Sequence, residues 1–185
     1  PDRGRPPLAS SSGWPKQPAS YEMRRALAQS DLKSVGSHFR FGENWASFAT
    51  LLDQSRIDQS VKSLRDLVRA DLAGKSFLDI GSGSGLSALA AARLGASPIM
   101  ALDIDPDSVR TTRKTLSENA PDASVKVELH SIFDVDPAQL GTFDVVHHTG
   151  AMWEAINRAS QFVTPGGLFV LAIYNKTPFC CFWKW

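Results

Sequence analysis

The chain has 185 residues, with 20 Lys and Arg against 19 Asp and Glu and a formal net charge of +1. So even a balance gives no electrostatic pull toward nucleic acid or an anionic membrane surface. A hydrophobic fraction of 43% suffices for a core, and the two cysteines, Cys180 and Cys181, are adjacent and close no loop. No apolar run approaches the roughly 20 residues needed to span a bilayer. These features exclude a membrane protein, a disulfide-built module and a largely disordered chain; the expectation is a soluble, cytoplasmic domain.

Residues 1–20 are rich in Pro, Ser and Gly (Pro6, Pro7, Pro15, Pro18, Ser10 to Ser12) and lack a hydrophobic period, which predicts a disordered tail. Residues 21–75 are read as an N-terminal helical segment. Trp45, Phe48 and Leu52, then Ile57, Val61, Leu64 and Val68, recur at steps of three and four. That is one long amphipathic helix, or two with a break near Gln54, with Arg56, Lys62, Arg65 and Arg69 on its polar face.

After Gly74 the period changes. Phe77 to Ile80 reads as a strand running into a Gly-rich turn, and Leu86 to Leu94 as a helix closed at Gly95. Ile99 to Leu102 is a second strand; Asp105-Pro106 supplies an N-cap and a first-turn proline for a helix through Asn119. Val125–Leu129 and Phe143–Val146 follow as strands. Met152 to Phe162 reads as a helix with Trp153 on its apolar stripe, ended by Pro165-Gly166-Gly167. Leu168 to Tyr174 is apolar throughout, as a strand buried on both faces should be. Strands alternating with helices imply a parallel α/β sheet.

The chemistry centres on Asp79-Ile80-Gly81-Ser82-Gly83-Ser84-Gly85, between the first strand and its helix. Such a turn sits at the carboxyl edge of the sheet, where open α/β folds bind ligands. Its glycines let the backbone approach a ligand closely, although a tight connection alone also uses glycine. A G-x-G-x-x-G dinucleotide fingerprint needs glycine where the chain has Leu86. Asp79 sits inside the strand end, and a buried carboxylate there needs a cationic ligand group or backbone donors. Asp103 and Asp105 end the second strand, a place from which an acid commonly accepts ribose hydroxyls. Asp105 has a sufficient role as helix cap, which leaves Asp103 for a ligand.

FLDIGSGSG resembles motif I of the class I S-adenosylmethionine-dependent methyltransferases, and ALDIDPDSV resembles the segment after it. LHSIFD, FDVV and FVTPGGLFVLAIYN are similar to later motifs in the same order; RFGENW and AIYN resemble a bacterial group acting on small molecules. The resemblance covers about Ser76 to Asn175 and implies a Rossmann-like three-layer α/β/α sandwich over residues 76–185.

It also implies roles. Gly81, Gly83 and Gly85 form the turn beneath the methionine and ribose of S-adenosyl-L-methionine. Asp79 sits near the amino group, Asp103 takes the ribose hydroxyls, Ile104 covers the adenine, and Ser131 and Ile132 meet the adenine edge. His147, placed after the fourth strand, offers its carbonyl. His147 and His148 are the candidate bases for an acceptor that must lose a proton, with packing as the alternative reading; Trp153, Tyr174 and Asn175 are candidate pocket walls, although the apolar stripe of its helix assigns Trp153 to the core instead. Phe41 and Trp45 suit a lid over the cofactor or simple packing equally.

The expected function is methyl transfer to a small molecule, with no metal and no nucleic acid or membrane partner. The alternatives are a cofactor-binding protein without turnover and a nicotinamide-dependent oxidoreductase. The chain departs from the family pattern twice. FDVV runs straight into HHTGAMW where relatives have a longer connection, and five strands are recognisable where seven are usual. The expectation is a C-terminally incomplete domain, with the fifth strand's edge open, covered by a homo-oligomer partner or covered by the tail.

Overall fold

A computed structural model of the chain describes residues 41–149 and 153–172. The disordered tail expected at 1–20, residues 21–40, Met152, Tyr174, Asn175 and the C-terminal aromatic and cysteine run lie outside the described residues.

Two helices precede the sheet, α1 (Phe41–Ala49) and α2 (Gln54–Val68). The break falls at Asp53, whose carboxylate caps α2 by accepting the Arg56 N–H at 2.8 Å. Ile57, Leu64 and Val68 are buried along α2, while Arg56, Lys62, Arg65 and Arg69 are exposed, as the hydrophobic period requires. The chain then alternates: β1 (Phe77–Ile80), α3 (Leu86–Arg93), β2 (Ile99–Asp103), α4 (Pro106–Asn119), β3 (Val125–Leu129), a 3-10 turn at Ile132–Asp134, α5 (Pro137–Leu140), β4 (Phe143–Thr149), α6 (Trp153–Ser160) and β5 (Val163–Ala172). No helix among the described residues is long and apolar enough to cross a membrane.

The five strands form one sheet in the order β3-β2-β1-β4-β5, every neighbouring pair parallel. β1 and β2 are buried along their whole length. The core on one side joins Phe77, Ile99, Ala101 and Val145 to Ile57, Leu64 and Val68 of α2, Ala88 and Leu89 of α3, and Leu116 of α4. The chain builds outward from β1 through β2 to β3, then returns to start β4 on the other flank. The reversal between β1 and β4 makes the switch point where this architecture leaves a crevice. At the opposite end of those two strands, Asp144 Oδ2 accepts the Ser76 N–H at 2.9 Å and the Ser76 hydroxyl at 2.8 Å. The Asp144 N–H donates to Ser76 Oγ at 3.0 Å.

Four expectations need correction. β4 does not stop at Val146 but runs to Thr149, because His147 and His148 find ladder partners on both sides: Asp79 and Ile80 in β1, Val170 and Leu171 in β5. His147 therefore lies within the strand and not after it. β5 starts at Val163 rather than Leu168, and takes Pro165-Gly166-Gly167 in through an irregularity opposite Phe143 and Val145. β5 is also only half-buried, with Leu171 38% exposed, since among the described residues it has a strand neighbour on one side alone. Finally, Trp153 is 79% exposed at the first position of α6; Ala155 and Ala159, one turn apart, are the buried face of that helix.

Candidate functional site

The glycine turn links β1 to α3, with Gly81, Gly83 and Gly85 at φ values of 76°, 54° and 78°. A left-handed backbone of this kind favours glycine. Two positions are also sterically fixed. A Cβ on Gly83 would meet the Trp45 indole at 2.9 Å, and one on Gly85 would meet Thr112 Cα at 2.9 Å. The turn is fastened to β2, whose Leu102 carbonyl accepts the N–H groups of Gly81 at 2.9 Å and Ser82 at 3.1 Å. Thr112, fully buried on α4, holds it from below: its hydroxyl lies 3.0 Å from Ser82 Oγ and donates to the Gly83 carbonyl at 3.1 Å. Thr112 and Ser82 carried no signal in the sequence pattern, because the separation of 29 positions between Gly83 and Thr112 is bridged only by the fold.

Asp103 closes the other side of the trench. Its Oδ2 accepts the Gly83 N–H and its Oδ1 the Asp105 N–H, each at 2.9 Å. Burial pushes the Asp103 carboxyl above the ordinary carboxylate range, those two backbone bonds pull it back, and the charges of Asp105 and Asp79 add to the rise. Each carboxylate oxygen accepts two hydrogen bonds, so both keep acceptor capacity for a ligand diol. Asp105 caps α4 as expected, taking the Asp107 N–H at 2.8 Å, and its second oxygen takes the Gly42 N–H at 3.1 Å. Gly42 and Trp45 thus bring α1 down on both walls of the trench, Asp105 and Gly83. Ile104, between the two acids, is 58% exposed.

Asp79 is wholly buried at the switch point. Its Oδ1 accepts from His147 Nδ1 at 2.8 Å, while its Oδ2 is buried without a partner among the described residues. The Phe77 ring lies nearly parallel to the His147 imidazole, 19° apart in plane with centroids separated by 6.4 Å. Burial alone would lower His147, but the hydrogen bond and charge of Asp79 outweigh it and hold the imidazole above its ordinary value. His148 is one residue further along β4 and so projects from the opposite face of the sheet. Burial holds it below its ordinary value, outweighing a weaker upward pull from the Ile80 backbone, and neither ring nitrogen makes a well-formed hydrogen bond among the described residues.

The structure therefore brings together Asp79, His147, Gly81, Gly83, Gly85, Asp103 and Ile104, and leaves His148 apart. The loop after β3 joins them through the His130 N–H, which donates to the Asp103 carbonyl at 3.0 Å. In that loop Ser131 Oγ accepts the Phe133 N–H at 3.3 Å, and Ile132 is buried.

Residues 59–172 match the model of the family described as ribosomal protein L11 methyltransferase (PrmA), well over half of the chain. The chain belongs to this methyltransferase family. This match bears out the expected kinship with the class I S-adenosylmethionine-dependent methyltransferases. It is 34% identical over 116 residues to a ubiquinone biosynthesis O-methyltransferase of Xanthomonas oryzae pv. oryzae (strain PXO99A), covering 60% of this chain and 47% of that enzyme. A ribosomal protein L11 methyltransferase of Pelobacter propionicus (strain DSM 2379 / NBRC 103807 / OttBd1) is 39% identical over 100 residues, 51% of this chain and 30% of that enzyme. The chain thus spans less than half the length of these relatives. Among solved structures, the ribosomal protein L11 methylase of Lactobacillus delbrueckii subsp. bulgaricus superposes with a TM-score of 0.52 at 23% identity, covering 66% of this chain and 62% of that one. That likeness supports the methyltransferase fold.

Proposed function

We propose that the trench between β1 and β2 binds S-adenosylmethionine and that the methyl group passes to a small-molecule acceptor. The observation that carries this reading is Asp103, a buried carboxylate bonded only to backbone N–H groups and held above the ordinary range by burial. A vicinal diol offers two donors to such a group and offsets its desolvation. The unpartnered Asp79 Oδ2 suits the cofactor's ammonium in the same way, and exposed Ile104 offers an apolar cover for a flat base. Ser131 and Ile132 complete the adenine side.

The bound cofactor supplies a methyl group on a sulfonium that is already a good leaving group. What the chain adds is alignment, which contributes several kcal/mol when the reacting atoms are held in line. Where an acceptor must lose a proton, His147 beside Asp79 is the nearer of the two histidines, and works as a base only on the alkaline side of its titration.

A protein acceptor is the second reading, favoured by the matched family and by the relatives that methylate ribosomal protein L11. Calorimetric titration with S-adenosylhomocysteine tests the site itself. Micromolar binding by the wild type, lost in Asp103→Ala, is expected; a folded wild type that binds none refutes the cofactor reading. Labelled S-adenosylmethionine, offered with either ribosomal protein L11 or a panel of hydroxylated aromatics, then separates the two acceptor classes.

A further inference from the structure

We propose that His147 is a positioning residue for the cofactor's amino group: it holds Asp79 by Oδ1, leaves Oδ2 to take an ammonium, and weakens that site when it is protonated. This rests on the cofactor reading above and goes beyond it, since it makes cofactor affinity depend on a residue of β4 that touches the cofactor only through Asp79.

Asp79 and His147 face each other across the β1–β4 reversal, where the fold leaves its crevice. Their contact of 2.8 Å is buried on both sides, and an ionised carboxylate accepts only, so the proton of the pair sits on Nδ1. The second carboxylate oxygen is equally buried yet unpartnered among the described residues, a state that a ligand donor relieves. Among the described residues, the groups that act on His147 include no other cation. From β1 the pair meets the Phe77 ring, and from β5 Val170 lies opposite His147 in the ladder. The helices packed on this face present Ile57, Leu64, Val68, Ala88 and Leu89. Among the described residues, the other titratable groups that interact with the pair are His148, on the far face, and Asp103 across the glycine turn.

The charge arithmetic then sets the direction. With His147 neutral the pair carries one negative charge and receives an ammonium as its counter-ion. With His147 protonated the pair is neutral, and the incoming ammonium is buried without compensation. Asp79 raises His147 above its ordinary value, against the effect of burial.

The test is the pH dependence of binding, measured by calorimetry with two probes: S-adenosylhomocysteine, and 5′-methylthioadenosine, which keeps adenine, ribose and sulfur but lacks the amino-acid end, its α-amino and α-carboxylate groups together. Asp103 faces both probes alike, so the difference between them reports the amino-acid end of the site, and the Asp79 and His147 variants assign it to that pair. The wild type should lose affinity for S-adenosylhomocysteine on acidification, by up to about tenfold per pH unit below the His147 titration, the slope of one coupled proton. 5′-Methylthioadenosine should show no such loss. His147→Gln keeps a neutral donor for Asp79 and should abolish the slope; His147→Asn serves as a second neutral donor if the glutamine variant does not fold. Asp79→Asn should lose S-adenosylhomocysteine affinity at every pH. Parallel profiles for the two probes, or a slope that survives in the neutral variants, overturn the proposal and leave the cofactor reading standing. A folded wild type that binds neither probe overturns both.

Discussion

Replacing Gly85 with alanine puts a methyl group 2.9 Å from Thr112 Cα and 3.2 Å from its carbonyl oxygen, backbone atoms that cannot swing aside. Gly74 provides the control: its φ of +66° resembles the +78° of Gly85, but a Cβ there meets nothing within 4 Å. A left-handed non-glycine residue costs about 1–2 kcal/mol, which both variants share. Both also gain the same small benefit from a stiffer unfolded chain, about 0.4–1 kcal/mol. Only Gly85→Ala adds overpacking, at about 1–3 kcal/mol. We therefore expect Gly74→Ala to lose about 1 kcal/mol and Gly85→Ala about 2–4 kcal/mol, from the sum of those terms. In melting temperature the gap between them is about 2–4 °C per kcal/mol for a chain of this size. Urea unfolding with a common slope for both variants is the assay. Equal losses would refute the reasoning, since they would mean that α4 yields freely under the turn. The same contact supports the Gly83 carbonyl through Thr112, so Gly85→Ala should also weaken S-adenosylhomocysteine binding while Gly74→Ala leaves it intact.

His148→Phe should stabilise the protein, because a buried imidazole that makes no well-formed hydrogen bond among the described residues is exchanged for an apolar ring. The gain should grow on acidification: His148 is held below 6.5 in the fold, so the unfolded chain takes up its proton first and wild-type stability falls as pH drops through that value. Urea midpoints at pH 8 and pH 5.5 check both statements, and a gain that shrinks at the lower pH contradicts the sign. Trp45 rests on Gly83, so S-adenosylhomocysteine should change the tryptophan fluorescence, and Trp45→Phe should remove that change. A signal that persists in the variant would mean that α1 does not report on the trench.

The elements that could be read from the sequence are those whose signals are local. Asp105-Pro106 announces α4 by cap and ring geometry, and the change of period after Gly74 marks β1. Asp79, the glycine turn and Asp103 were legible because a single βαβ crossover carries them. What escaped depends on partners distant in sequence. β4 continues through its histidines only because β1 and β5 flank it, and Asp79 and His147, 68 residues apart, meet only through strand register. Trp153 fits the apolar period of its helix, yet the helix begins there and its buried face is set by Ala155 and Ala159. Trp45 could be read as lid or as packing, and the structure gives it a specific contact, the face of Gly83.

The seam between β1 and β4 is fastened at each end by a carboxylate, but by two different kinds of knot. At one end Asp144 grips the hydroxyl and the backbone N–H of Ser76 and donates its own N–H to the same hydroxyl. At the other, Asp79 holds an imidazole by one oxygen and keeps its second oxygen unpartnered among the described residues. Phe77 and Val145 lie paired in the buried stretch between. The seam is thus a zipper sewn shut at its base with its slider at the mouth, and a ligand that works the slider has no need to disturb the cloth below.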